Sequence, residues 1–395
     1  MGKIGVYGGS FNPPHLGHTM AVAEFQKELG LDKVLVIPAA NPPHKALPAG
    51  SAQEHHRLAM TKLAMADLDF VEVSDMEMTR GGESYTADTL TALQKQYPKD
   101  KLFLLMGTDM FLSFPTWKHP KKIANMATIV TGFRGGRENR GDLEDMVGLI
   151  GKKYDGKAKI VENSFVEISS TEARRNLFFG CGHLNLAPAV LDYIHENKLY
   201  DLDKNTKNLE FAELKACSLS LHKLQRVPHV CGCCKTAAEL AERWGANVED
   251  ARRAGILHDV TKALEKEEQL HLCKKYGIMT SGFEREHYKL LHSKTAASVA
   301  REVFGENEAV CQAIYWHTTG HADMTLLEKI LYIADYMEPC RKFEGVDKMR
   351  YLTQTDLDGA MLYAFQMSID LLNSEGKELD VYTVAARDYL LHERK

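Results

Sequence analysis

The sequence has no apolar run near the ~20 residues that a membrane span needs, so no membrane partner is expected. Cysteine is sparse, 8 in 395 residues. That excludes the dense disulfide framework of small secreted domains and favours a reducing compartment, the cytoplasm. Basic charge is not in excess: 49 Lys and Arg stand against 54 Asp and Glu, for a formal net charge of -5. No overall field of that sign recruits nucleic acid. The opening MGKIGVY has no signal-peptide layout. Two common phosphate signatures are missing as well. No G-K-[ST] closes a P-loop after the first strand, and no G-x-G-x-x-G dinucleotide fingerprint stands there. Internal repeats and low-complexity tracts are lacking. What is present is a globular composition, 44% hydrophobic and 26% charged. The length suits two domains of roughly 100–200 residues each.

The pattern changes near residue 203. Before it, short β-rich runs alternate with helical stretches. Strands are predicted at Lys3–Tyr7, Lys33–Ile37, Phe70–Val73, Leu102–Leu105, Thr128–Thr131 and Lys159–Glu162. Helices are predicted from His18 and around Arg57–Met65, Ala87–Gln96 and Leu143–Lys153. This alternation predicts an α/β domain with a doubly wound parallel sheet over residues 1–202. The polar stretch DLDKNTKNLE, Asp201 to Glu210, marks a linker, placed at 203–211. From 212 to 395 strand patterns vanish. Helical runs at Thr236–Trp244, Ser293–Val303, Leu326–Met337 and Leu357–Leu372 predict an all-α domain.

GVYGGSFNPPHLGHTM, Gly5 to Met20, places glycines, prolines, His15 and His18 between a first strand and a first helix. That bend faces the ligand crevice of a doubly wound sheet, and the helix start beyond it favours anions. Imidazoles there can donate to oxygens that gain charge as a phosphoryl bond breaks. A lone histidine in a turn is usually a surface residue; two in this spaced set are not. EISSTEARR, Glu167 to Arg175, opens another helix. Ser169, Ser170 and Thr171 offer cap hydroxyls, and Arg174 can meet a phosphate bidentately.

These two motifs resemble the nucleotidyltransferases with H-x-G-H and I-S-S-T-x-x-R signatures, which have a Rossmann-like fold. NPPHK (Asn41–Lys45), SYTADTL (Ser84–Leu90), GTDMFLSFPTW (Gly107–Trp117) and YIHENKLY (Tyr193–Tyr200) narrow the resemblance to bacterial nicotinate mononucleotide adenylyltransferases over about residues 1–202. The resemblance implies transfer of the adenylyl group of ATP to nicotinate mononucleotide, a step of NAD biosynthesis, with Mg²⁺ on the triphosphate. It implies ATP contacts from Gly8, Gly9, Ser10, Phe11, His15, His18, Ser169, Ser170, Thr171 and Arg174. His44, Lys45, Tyr85, Thr86, Asp109 and Trp117 would take the mononucleotide. His15, His18, Lys45 and Arg174 would carry the catalysis.

In the second half, GILHDVTK sets His258 beside Asp259, with Lys262 after them. His229 heads a helix upstream. His292 shares a helical face with Ala296 and Val299, His317 with Val310 and Ile314. Asp335 lies in the apolar run LLEKILYIADYM. Burying that carboxylate without a partner is costly, and a metal removes the cost. Mixed imidazole and carboxylate ligands favour iron, manganese or cobalt over a thiolate-type zinc site. The ordered set H…HD…H…H…D resembles the HD-domain phosphohydrolases, and HTTGHADMTLLEKILYIADYMEP resembles a bacterial subfamily of symmetrical diadenosine tetraphosphatases, over about residues 212–392. The resemblance implies two metal ions sharing Asp259, Lys262 on a substrate phosphate, and cleavage to two ADP. Whether His287 or His292 is the ligand is set in favour of His292. HVCGCC, His229 to Cys234, is read as small helix residues rather than a thiolate site. Other readings stay open: a different nucleotide substrate such as guanosine tetraphosphate, or a nucleotide-sensing regulatory module. A homo-oligomer also stays open.

Overall fold

Alternating apolar residues in the first half build the two faces of one sheet. A computed structural model describes residues 2–42, 47–133, 139–162 and 168–394. Contacts divide the chain into Met1–Lys204 and Asn205–Lys395. In the first unit the strands are β1 (Lys3–Gly9), β2 (Lys33–Pro38), β3 (Val71–Val73), β4 (Lys101–Met106), β5 (Ala127–Phe133) and β6 (Ala158–Glu162). They form one six-stranded sheet in the order β3-β2-β1-β4-β5-β6, and every pairing is parallel. The predicted doubly wound sheet is therefore present.

Side-chain alternation explains how both faces are covered. Ile4, Val6, Leu35, Ile37, Leu102 and Leu104 pack against residues of the helices Thr86–Gln96, Pro120–Met126 and Arg140–Tyr154. Val34, Val36, Leu105 and Val130 face the other way, onto Val22 and Phe25 of the helix Leu16–Leu29. On β1 this second face carries Gly5, where a Cβ would lie 2.8 Å from Leu31 Cδ1. A third cluster, with Met60, Leu177 and Ile194, joins the helices Glu54–Ala64, Ser170–Phe178 and Pro188–Glu196. The strand order reverses direction between β1 and β4. Loops leaving the carboxyl ends of those strands diverge there and open a crevice.

The second unit has no strand among its described residues. Its central helices are Val227–Trp244, Val248–Leu257, Leu291–Val299, Glu308–Trp316 and Leu326–Met337. The third of these continues as a π-turn over Ala300–Phe304, where one unbroken helix was expected. Thr206 Oγ1 donates to Val303 O at 2.8 Å, and Asn208 N–H to Phe304 O at 2.8 Å. Cys233 and Cys234 are buried on the helix Val227–Trp244. A Cβ on Gly255 would stand 2.6 Å from Cys234 Cα, so two small residues let these helices approach closely. Burial pushes the Cys234 thiol up to about 11, far from the thiolate a metal needs. No helix of the described residues is long and apolar enough to cross a membrane.

Candidate active sites

β1 ends at Gly9, the turn Ser10–His15 follows, and the first helix starts at Leu16. His15 is the helix N-cap. Its backbone N–H donates to His18 Nδ1 at 3.1 Å. A neutral His18 must then carry its proton on Nε2, where it is a donor. The two imidazoles stack with centroids 3.6 Å apart. Burial pushes His15 down to about 3. Burial, then the neighbouring His15, holds His18 well below its ordinary value. Both rings are thus neutral donors at neutral pH. Phe11 is fully buried, with its ring centroid 4.9 Å from that of His18. It packs edge-on against the histidine, and its buried side chain offers no surface to ATP. Gly9 leaves room for it: a Cβ there would lie 3.1 Å from the ring.

The second phosphate motif meets the first. Ser169 and Glu172 form a capping box at the start of the helix Ser170–Phe178. Ser170 Oγ donates to Pro13 O at 3.1 Å. Arg174 Nη1 donates to Asn12 O, and its Nη2 to Thr171 Oγ1 at 3.3 Å. No carboxylate pairs with this half-buried guanidinium among the described residues. A half-buried cation without a counter-charge is stabilised when an anion arrives.

Sequence reasoning missed Arg57. This arginine is fully buried. It donates to Ser10 O at 2.8 Å, Ala39 O at 2.6 Å and Ala40 O at 3.0 Å. It therefore ties the phosphate turn after β1 to the segment after β2. The only signal was an arginine on the otherwise apolar side of the helix Glu54–Ala64, beside buried Met60 and Thr61.

On the mononucleotide side, Tyr85 caps the helix that starts at Thr86. Ser84 Oγ accepts the Ala40 N–H at 3.0 Å, which fixes this helix to the end of β2. The Lys118 ammonium lies 3.6 Å from the Tyr85 ring centroid. Trp117 is half-buried, 5.7 Å from Phe114 between ring centroids. Asp109 is exposed on the short helix Thr108–Leu112 after β4. Gly8, also exposed, is the next-to-last residue of the neighbouring strand, so these residues flank the reversal of strand order. His44 and Lys45 lie outside the described residues.

The second unit brings its six expected ligands together. His229 is at the head of its helix, while His258 and His317 are the residues just past theirs. His292 and Asp335 lie within helices. Asp259 Oδ2 is 3.6 Å from His229 Nε2 and 3.5 Å from His258 Nε2. Asp335 Oδ1 is 3.2 Å from the first of these and 3.9 Å from the second. Asp259 Oδ1 is 3.1 Å from His292 Nε2 and 3.6 Å from His317 Nε2. The buried carboxylate thus serves a different pair of imidazoles with each oxygen. Lys262 Nζ lies 3.3 Å from Asp259 Oδ1.

Each ring is oriented through its other nitrogen. Nδ1 meets Gly255 O at 2.8 Å for His258, Lys289 O at 2.5 Å for His292 and Ile314 O at 2.7 Å for His317. His229 Nδ1 meets Glu338 Oε1 at 3.0 Å. These contacts turn every Nε2 toward the cluster, the usual outer shell of a metal-bound histidine. Buried His229 Nε2, His258 Nε2 and Asp259 Oδ1 have no hydrogen bond among the described residues, so the donor set fits metal ions. Burial holds His258 at about 3 against the upward pull of Asp259 and Asp335, and burial with the Lys262 charge holds His292 at about 4, in the neutral ligating form. For His229, burial is outweighed by Asp259 and Asp335, which raise it to about 9. A metal there must displace a proton. Glu338, fully buried, was not foreseen. Its signal was its position three residues after Asp335. His287 is not in the cluster; it is exposed and stacks on Phe283 at 4.4 Å.

Fold and geometry define an α/β nucleotidyltransferase-type domain followed by a helical HD-type metal domain. Family models agree: Cytidylyltransferase-like matches residues 6–176, and HD domain matches residues 226–340. Over about half its length the chain belongs to the nicotinate-nucleotide adenylyltransferase family. It is 37% identical over 202 residues to a probable nicotinate-nucleotide adenylyltransferase of Neisseria meningitidis serogroup C, covering 51% of this chain and all of the relative. With that of Borreliella afzelii it shares 34% over 199 residues, or 50% of this chain and 96% of the relative. A structure described as a predicted HD superfamily hydrolase involved in NAD metabolism, from Clostridium acetobutylicum, is 36% identical. That match covers 47% of this chain and 99% of its own, with a TM-score of 0.46.

Proposed function

We propose that the first unit transfers the adenylyl group of ATP to nicotinate mononucleotide, giving nicotinate adenine dinucleotide and pyrophosphate. The observation that carries this is the bonding of Ser170 and Arg174 to the Asn12–Pro13 turn beside His18. The mononucleotide phosphate, whose second pKa is ~6, is an adequate nucleophile at pH 7 and needs no general base. Its oxygen attacks the α-phosphorus, and the bond to the β-phosphate oxygen breaks. His18 Nε2–H and the Arg174 guanidinium face the charge that grows on the leaving pyrophosphate. Mg²⁺ accompanying ATP supplies further charge neutralisation. The segment around Trp117 is the reader of the nicotinate carboxylate. Supplying ATP with either mononucleotide tests this: kcat/KM should favour the nicotinate form clearly, since pocket groups left unpaired reject the amide. Equal efficiency removes the reading.

We infer that the second unit is a metal-dependent phosphohydrolase that cleaves diadenosine tetraphosphate to two ADP. The arrangement of His229 and His258 between one oxygen of Asp259 and the Asp335 carboxylate, and of His292 and His317 on the other Asp259 oxygen, supports two metal ions, with iron, manganese or cobalt suited to these donors. When bound, such ions supply Lewis acidity for attack of water on phosphorus. Asp259 holds the two halves in register, Glu338 and the backbone carbonyls fix the rings, and Lys262 meets a substrate phosphate. Metal analysis and product chromatography on the full chain test the reading. AMP plus ATP in place of ADP would remove the symmetrical assignment.

A further inference from the structure

A cavity of about 530 Å³ in the second unit is lined by Phe283, His287, Lys289, Thr318, Thr319 and Tyr332, among others. Its size falls within the ~300–1,000 Å³ of small-ligand sites. Its walls are built on the same backbone as the metal ligands. Thr318 follows His317 directly. The Lys289 carbonyl is the group that orients His292 through Nδ1. Tyr332 lies one turn before Asp335 on the helix Leu326–Met337. Three lining residues thus stand within three positions of a proposed ligand: Thr318 of His317, Lys289 of His292 and Tyr332 of Asp335.

The lining has a divided chemistry. On one side, Phe283 and His287 stack with centroids 4.4 Å apart and planes inclined by 27°. His287 Nδ1 is occupied by Phe283 O at 3.1 Å, which fixes the ring of this exposed residue. Thr319 and Tyr332 supply hydroxyl-bearing walls. Lys289 is exposed and forms no ion pair among the described residues, and the carboxylates Glu286, Glu378 and Asp380 also stand on the lining. A flat aromatic face, hydroxyls and an unpaired ammonium beside a phosphate-cleaving centre match the parts of a nucleotide: base, ribose and phosphate chain.

We propose that this cavity binds one nucleoside end of a nucleoside polyphosphate, with the base on the Phe283–His287 stack, the ribose at the threonines and the phosphate chain passing Lys289 toward Asp259. The proposal rests on the phosphohydrolase reading above. It makes the base a recognised element, so that a bare polyphosphate is a poorer ligand than a nucleotide of the same charge.

Hydrogen exchange on the metal-loaded full chain tests this, with ADP and inorganic pyrophosphate as probes, because it separates this site from the ATP site of the first unit. Both probes should slow exchange around residues 258–262. Only ADP should also slow exchange across 283–290 and 317–320. Phe283→Ala and His287→Ala remove one stacking face each, so the ADP concentration giving half protection there should rise about tenfold. Metal content should not change, since neither residue is a ligand. ADP protecting 283–290 no better than pyrophosphate, or unaltered half-protection in both variants, overturns the pocket while leaving the metal centre standing. No protection of 258–262 by either probe overturns the hydrolase reading, and the pocket with it.

Discussion

His18 shows how one backbone contact sets the chemistry of a side chain. Its Nδ1 is occupied by the His15 N–H, so a neutral ring donates from Nε2 and needs no positive charge. His18→Ala should lower kcat for adenylyl transfer by at least ~10²-fold, the scale of losing one transition-state donor, with thermal unfolding little changed. A near-normal rate in that variant rules the residue out. Burial of neutral His15, at about 3 against an ordinary 6.5, also makes a prediction for stability. Between those values the unfolded chain binds a proton that the folded one refuses. Stability of the first unit should therefore fall as pH drops below 6.5, by up to ~1.4 kcal/mol per pH unit for this group. Denaturant melts between pH 7 and 5 should show a shallower loss in His15→Gln. An unchanged slope excludes His15 as its source. The histidines were legible because glycines and prolines framed them. Arg57 was not, since its partners are backbone carbonyls of residues 10, 39 and 40, a meeting that no local pattern announces.

Among elements, the six strands were legible to within one or two residues at each end. Apolar runs buried on both faces cannot be mistaken for surface helix when turn residues bound them. The short helices Thr108–Leu112 and Pro120–Met126 were not foreseen, because a turn or two is too brief to show a 3.6-residue period. The cysteine-rich segment was correctly taken as helix, and the structure supplies the reason: Gly255 sits against Cys234. Gly255→Ala places a methyl 2.6 Å from Cys234 Cα. Overpacking of this kind costs about 1–3 kcal/mol. Because His258 follows at the end of the same helix, metal content should drop together with the melting temperature of the second unit. Full stability in this variant, measured by calorimetry, argues that the helices can separate without loss.

At the scale of the whole molecule, each set of chemistry-bearing residues falls inside one unit. Every expected adenylyl-transfer residue lies at or before Arg174, and every expected metal ligand at or beyond His229. This separation could be read from the sequence because the two motif sets never interleave and the strand pattern stops between them. The pairing of histidines on the two oxygens of Asp259 could not, since it depends on how five helices converge. Asp259→Ala removes the carboxylate common to both halves of the proposed metal centre. Bound metal should fall, and cleavage of diadenosine tetraphosphate should drop to background. Adenylyl transfer by the same protein should persist, and His18→Ala should conversely spare cleavage. Chelation is the reversible counterpart. A ligand present at 100 times its dissociation constant stabilises the folded state by ~2.7 kcal/mol. Removing metal should therefore lower the second unit's melting transition and leave the first in place. If Asp259→Ala abolishes both activities while circular dichroism shows both units folded, the two sites are coupled. In that case the division of labour between residues 1–204 and 205–395 does not hold.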